Sequence, residues 1–223
     1  MVQLNRAAGE VVARACGAEQ GLVTAGCSAA QVLMVAGCMT GQNVDNVHQL
    51  PDPTGMKNEV VIFKGQRNRY DKAFVTAGAT LVEYGTSDAA TAEELDAAIN
   101  ENTACVAYVI GPFISPGIGL EETVRVAHER DVPVIVDAAA EVPPRANLTR
   151  FHRIGADMVA FSGGKGIGGP QSAGLLAGKA ELMEAVVMNS LNLHSSIAGI
   201  GRPMKVSKEN LVGMVTAIEL FTD

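Results

Sequence analysis

Two apolar runs in this chain each deliver a single charged side chain to the end of a strand. Val134-Ile135-Val136 is a β-branched run that reads as a strand buried on both faces, and Asp137 comes immediately after it. Met158-Val159-Ala160-Phe161 is a second such run, followed by Ser162-Gly163-Gly164-Lys165. Ligands of open α/β sheets sit beyond the carboxyl ends of the strands, so these runs predict that Asp137 and Lys165 face one crevice. Taken singly, each has a plainer reading, Asp137 as a cap on the next element and Lys165 as a solvated loop lysine. Placed together on successive strand ends, they point to a carboxylate and an amine acting on one ligand.

That pair suits pyridoxal phosphate (PLP), which uses a lysine for its Schiff base and a carboxylate opposite its pyridinium nitrogen. Ser162, three residues before Lys165, offers a hydroxyl to the cofactor phosphate, and the glycines around Lys165 leave room for a ring near the backbone. Gly164-Lys165-Gly166-Ile167-Gly168-Gly169 also matches the dinucleotide pattern G-x-G-x-x-G, but that pattern must open a helix. Here Pro170 follows, and Ser172 to Gly178 reads as another strand, giving strand, lysine turn, strand. No Walker-type phosphate loop precedes Lys165, because position 159 is valine.

These residues need a scaffold, and the rest of the chain supplies repeated strand and helix signals. Residues 4 to 16 read as a helix that Gly17 ends. Leu22-Val23-Thr24 reads as a strand, and Ala25-Gly26-Cys27-Ser28 turns into a helix over Ala29 to Cys38. A glycine turn opening a helix is an anion site, so the phosphate is expected there. Residues 41 to 58, with two prolines, read as an exposed loop. Strands are predicted at Glu59 to Phe63, Thr80 to Tyr84 and Ala104 to Ile110. Helices are predicted from the polar run after Phe63 to Ala77, over Ala92 to Asn100 behind a Thr91-x-x-Glu94 capping box, and over Leu120 to Arg130. After Gly178, helices are expected over Ala180 to Met188 and Lys208 to Phe221. Alternating strands and helices require a mostly parallel sheet with right-handed crossovers and helices on both faces, a three-layer α/β fold. No internal repeat or second domain is visible.

Further ligand candidates lie at strand ends and in a late loop. Gln66, Arg67, Asn68, Arg69 and Tyr70 follow a strand where ligand groups gather, and Gly111 to Gly119 is a Gly/Pro-rich loop bordering the crevice. Arg202 and Lys205, in a glycine-rich stretch from Ser195 to Lys205, are anion candidates or simply solvated. His48, His128 and His194 have no partner pattern, and His152 is expected near a helix end.

Composition bounds the rest. The 223 residues fit one α/β domain, 48% hydrophobic and 18% charged, so much of the chain is interior or interface. The formal net charge of −7 disfavours nucleic acid. Cys16, Cys27, Cys38 and Cys105 show no C-x-x-C spacing, which indicates neither zinc nor a disulfide framework; no metal site is expected. The chain opens without a signal peptide, and its apolar runs are too short to span a bilayer, so a soluble, cytoplasmic protein is expected.

The blocks TAGCSAA at 24 to 30, EVVIFKGQRNRYDKAF at 59 to 74, DVPVIVDAAAE at 131 to 141 and ADMVAFSGGKGIGGPQSAGLLAGK at 156 to 179 resemble selenocysteine synthase (L-seryl-tRNA selenium transferase) and its relatives, fold-type I PLP enzymes. GRPMKVSKENLVG at 201 to 213 is more similar to the D-glucosaminate-6-phosphate ammonia-lyase branch. The resemblance implies that Lys165 is the Schiff-base lysine and Asp137 the pyridinium partner. It also implies that Gly26, Cys27 and Ser28 bind phosphate with help from Ser162, and that Gln66 covers the ring where this branch often has histidine. Arg67, Arg202 and Lys205 are its substrate or phosphate candidates. The expected chemistry is α,β-elimination on a hydroxylated amino acid, with D-glucosaminate 6-phosphate as one example. The alternatives are a selenium-transferase-like enzyme on seryl-tRNA and a catalytically incomplete PLP-fold module. Residues 1 to 223 are read as the PLP-binding large domain without the N-terminal segment and small C-terminal domain of the family. A homodimer or higher homo-oligomer is expected, because the apolar composition leaves a surface poor in charge.

Overall fold

A computed structural model of the chain describes residues 1–112, 114–190 and 198–222. The strands are β1 (Gln20–Thr24), β2 (Glu59–Phe63), β3 (Thr80–Tyr84), β4 (Thr103–Val109), β5 (Val134–Asp137), β6 (Met158–Ser162) and β7 (Gly174–Gly178). They form one seven-stranded sheet in the order β1-β7-β6-β5-β4-β2-β3. β7 runs antiparallel to both neighbours, and the other adjacent pairs are parallel. β1 therefore points the same way as β5 and β6, and the carboxyl ends of all three lie at one edge of the sheet. His194 and residues 195–197 of the glycine-rich stretch lie outside the described residues.

The helices are α1 (Val2–Cys16), α2 (Cys27–Thr40), α3 (Val44–Gln49), α4 (Lys72–Val75), α5 (Ala92–Ala98), α6 (Leu120–His128), α7 (Asn147–Ile154), α8 (Ala180–Asn189) and α9 (Lys208–Thr222). Side chains alternate across a strand, so each strand feeds two cores. Val134, Val136, Val159 and Phe161 pack with residues of α1, α6, α7 and α9 on one face. Ile135, Met158, Ala160 and Leu176 pack with α2 and α8 on the other. Ile135, Met158 and Phe161 are fully buried, and each contributes about 1.5–3 kcal/mol relative to exposure. The same alternation puts Asp137, two residues after Ile135, on the α2 face. This is the expected three-layer α/β architecture.

Three local readings change. Residues 41 to 58 are not all loop, because the Asn43 side chain accepts the Asp45 N–H at 2.9 Å and starts α3. The helix expected from the polar run to Ala77 is instead a 3₁₀ turn at Lys64–Gln66 and the short α4. There the Asp71 carboxylate takes the Asn68 N–H at 3.3 Å and the Arg67 guanidinium at 2.5 Å, local bonds that compete with helix hydrogen bonding. His128 has a partner after all: its Nε2 lies 2.8 Å from Asp157, whose buried carboxylate also meets Lys179 Nζ at 2.6 Å and the Val134 N–H at 2.7 Å. This cluster ties α6, β5 and β6 together at the sheet end opposite Asp137. His152 sits near the C-terminus of α7, as expected.

Candidate active site

The site is built on Asp137, the last residue of β5 and only 8% exposed. Three donors reach its carboxylate. Oδ1 accepts the Ala139 N–H at 3.0 Å and the Cys27 thiol at 3.5 Å, and Oδ2 accepts the Gln31 side-chain amide at 2.5 Å. Burial pushes the carboxyl above its ordinary range, opposed by the Ala139 N–H, the Cys27 thiol, the Lys165 charge and the Gln31 amide. A carboxylate offers about four acceptor positions, so a vacant one remains for a further donor.

Lys165 lies in the turn between β6 and β7, exposed, with its carbonyl accepting the Gly168 N–H at 2.9 Å. It follows the last residue of β6 by three positions, so the turn stands at the sheet end where β5 closes on Asp137 and β1 leads into α2. The turn leads into a strand and not a helix, which disposes of the dinucleotide pattern. Gly166 is required by packing, because a Cβ there would run into the Val142 carbonyl. Ser162 ends β6 beside Gly174 of β7, and Gly174 in turn pairs with Thr24 of β1.

Those pairings carry the lysine hairpin to the start of α2. Gly26 caps α2, and Cys27 and Ser28 form its first turn. A Cβ on Gly174 would stand 2.6 Å from the Gly26 carbonyl carbon and 2.8 Å from the Cys27 nitrogen, so only glycine lets β7 approach this turn. A Cβ on Gly26 would meet nothing within 4 Å, so open space adjoins the unpaired N–H groups of the helix. The Cys27 side chain points to Asp137. Burial first, and then the Asp137 charge, hold its thiol well above the usual range, so it stays protonated and donates.

The remaining candidates separate. Gln66 is fully buried; its Oε1 accepts the Val109 N–H at 2.9 Å and its Nε2 donates to the Ser115 carbonyl at 3.4 Å. Its amide thus ties the end of β4 to the Gly/Pro-rich loop. Arg67 is ion-paired to Asp71 and Glu83. Its neighbours Arg69, Tyr70 and Lys72 instead line a cavity of about 460 Å³ together with Ala25, Ser28 and Met204. Met204 lies between Arg202 and Lys205 in sequence, so their loop reaches the turn that opens α2 within one chain; both side chains are exposed.

Gln31 escaped the sequence reading. Its signal was visible: α2 is apolar almost throughout, with eleven of its fourteen residues buried, and a glutamine four residues after Cys27 shares that residue's face. Gln31 is 2% exposed, and its Oε1 has no partner among the described residues, a loss of about 1–3 kcal/mol. No helix in the described residues is long and apolar enough to cross a membrane, and no metal-binding cluster occurs among them.

Residues 4–200 match the family model described as L-seryl-tRNA selenium transferase. D-glucosaminate-6-phosphate ammonia lyase of Salmonella typhimurium is 37% identical over 219 residues, 96% of this chain and 56% of that protein. A solved ammonia-lyase structure of the same name superposes with a TM-score of 0.89 at 35% identity, covering 99% of this chain and 58% of that one. A Streptomyces 5'-C-glycyluridine monooxygenase-decarboxylase is 35% identical over 100% of this chain and 55% of its own length. At the level of fold alone, a serine palmitoyltransferase from S. paucimobilis with bound PLP superposes with a TM-score of 0.64 at 15% identity, covering 96% of this chain and 51% of that one. The chain thus spans a little over half the length of these two curated relatives. With a family model matched over residues 4–200 and a relative 37% identical over 96% of this chain, the chain belongs to the L-seryl-tRNA selenium transferase family.

Proposed function

We propose that this chain is the PLP-binding large domain of a lyase that removes a β-hydroxyl and the amino group from a hydroxylated amino acid, with D-glucosaminate 6-phosphate the foremost substrate. The observation that carries the reading is that Asp137, the Lys165 turn and the start of α2 stand at one end of the sheet, with Cys27 of α2 donating to Asp137. The residues fit the cofactor: Asp137 keeps an unused acceptor position, and open space lies beside the Gly26 turn. Lys165 would hold PLP covalently and Asp137 would face its ring nitrogen. Gly26, Cys27 and Ser28 would take the phosphate on backbone N–H groups, assisted by Ser162. When bound, PLP supplies a sink for the negative charge that develops at the substrate α-carbon.

The chain's own groups do the rest. Asp137 would present its negative charge to the ring, and its three donors oppose the upward push of burial on its carboxyl. Lys165, released when the substrate amine takes its place on the cofactor, would take the α-proton and pass a proton to the departing β-hydroxyl. The α C–H and β C–O bonds break and water leaves. Hydrolysis at the amine carbon then gives a 2-keto acid and ammonia. Gln66 holds the loop that borders the crevice. Arg69 and Lys72, with Arg202 and Lys205 nearby in the loop of Met204, give the cavity next to Ser28 a positive rim. That rim supports a phosphorylated or acidic substrate arm.

The overall charge of −7 weighs against a tRNA substrate. A second reading, monooxygenation with decarboxylation, is supported by the 35% identity to the Streptomyces relative. We further read the protein as a cytoplasmic homo-oligomer; its four cysteines are free, and Val212 and Leu220 of α9 are 54% and 75% exposed. The test of function is ammonia release from phosphorylated and plain hydroxy-amino acids by the PLP-loaded chain. Release that Lys165→Ala abolishes is the expected result. Carbon dioxide release with oxygen consumption and no ammonia would favour the second reading.

A further inference from the structure

We infer that Gln31 is the positioning residue of Asp137: it donates to Oδ2 from α2 and thereby aims the carboxylate and keeps it ionised for a ring nitrogen. The inference rests on the function proposed above and adds a residue to it. Gln31 is the sole donor to Oδ2 among the described residues, at 2.5 Å, whereas Oδ1 is shared by the Ala139 N–H and the Cys27 thiol. The other titratable groups that act on Asp137 are Cys27 of α2 and Lys165 of the β6–β7 turn.

The orientation of the amide follows from charge. Turning it over would satisfy Oε1 no better and would set two acceptors 2.5 Å apart, so an ionised Asp137 holds Nε2 toward itself and leaves Oε1 buried without a partner. A glutamine kept in an apolar helix at that cost is explained by the carboxylate it serves. Because α2 also begins at the Gly26 turn, one helix presents both the phosphate-facing N–H groups and the Oδ2 donor. The spacing between the two ends of the cofactor site is thus built into the first two turns of α2.

The test removes the donor and keeps the shape. In Gln31→Met, the carboxyl of Asp137, followed by ¹³C NMR in the cofactor-free protein and assigned with Asp137→Asn, should titrate at higher pH than in the parent. The sign follows because losing a donor to the charged form disfavours that form. An unchanged midpoint in a variant that melts at the parent temperature would overturn the inference. A collapsed melting temperature would direct the same titration to Gln31→Glu, where a second carboxyl beside Asp137 should raise the midpoint further; no rise there would equally overturn it. The second arm compares PLP with an analogue carrying carbon at the ring-nitrogen position. Gln31→Met should weaken PLP about tenfold and leave the analogue unaffected, since Asp137 acts only through that nitrogen. Equal weakening of both would reduce Gln31 to a packing residue. Failure of the parent to bind PLP would overturn the proposed function, while the cofactor-free titration still decides the role of Gln31.

Discussion

Gly174→Ala tests whether the contact between β7 and the α2 turn sets the geometry of the site. The new Cβ would sit 2.6 Å from the Gly26 carbonyl carbon, and ordinary contact begins at 3.4 Å, so strand and turn must separate by the difference, 0.8 Å. Both partners are backbone, and neither can rotate away. Overpacking of this kind costs about 1–3 kcal/mol. For a domain of this size each kcal/mol lowers Tm by about 2–4 °C, so a fall of about 2–12 °C is expected. The same displacement would stretch a hydrogen bond from a first-turn N–H to phosphate from about 2.9 Å to about 3.7 Å, beyond the useful range. Losing one bond to a charged group is worth about 1.5–3 kcal/mol, or about 10- to 100-fold in Kd. The control is Gly178→Ala at the other end of β7, where a Cβ would stand 2.5 Å from the Asp157 carbonyl oxygen, far from the crevice. Thermal melts by circular dichroism and PLP titration by fluorescence should show both variants destabilised and Gly174→Ala alone weakened toward PLP. Equal PLP affinity in the two variants would refute the positioning argument, and unchanged Tm in both would refute the packing argument.

Two further outcomes follow from the surface around the site. Arg69→Ala combined with Lys72→Ala should raise KM for a phosphorylated substrate by about tenfold or more with kcat little changed, because they supply the rim of the cavity beside Ser28, which Lys165 does not line; a fall in kcat at constant KM would place them elsewhere in the reaction. Light scattering of the PLP-loaded protein should report a defined oligomer, given exposed Val212 and Leu220 on α9, and a monodisperse monomer that binds PLP tightly would remove the interface from the proposal.

What the sequence determined on its own was the set of elements and the two strand ends that matter. β2 and β3 have the limits their β-branched runs dictate, and Asp137 and the Lys165 turn follow their strands because side-chain alternation and glycine punctuation are local properties. The mostly parallel sheet followed from alternating strands and helices, since such connections admit few topologies, whereas the antiparallel β7 did not. Tertiary structure alone decided which polar groups meet. Gln31 reaches Asp137 across 106 residues of chain, and His128 finds Asp157 across 29. Arg67 and Arg69 lie two residues apart in one polar run, yet the fold pairs the first with Asp71 and Glu83 and turns the second to a cavity. Sequence spacing carries no information about such pairings, because they depend on how β1 inserts beside β7 and lays α2 over the ends of β5 and β6. A side chain's partner is set by that packing, whereas its place on a strand or helix is set by its neighbours in the chain.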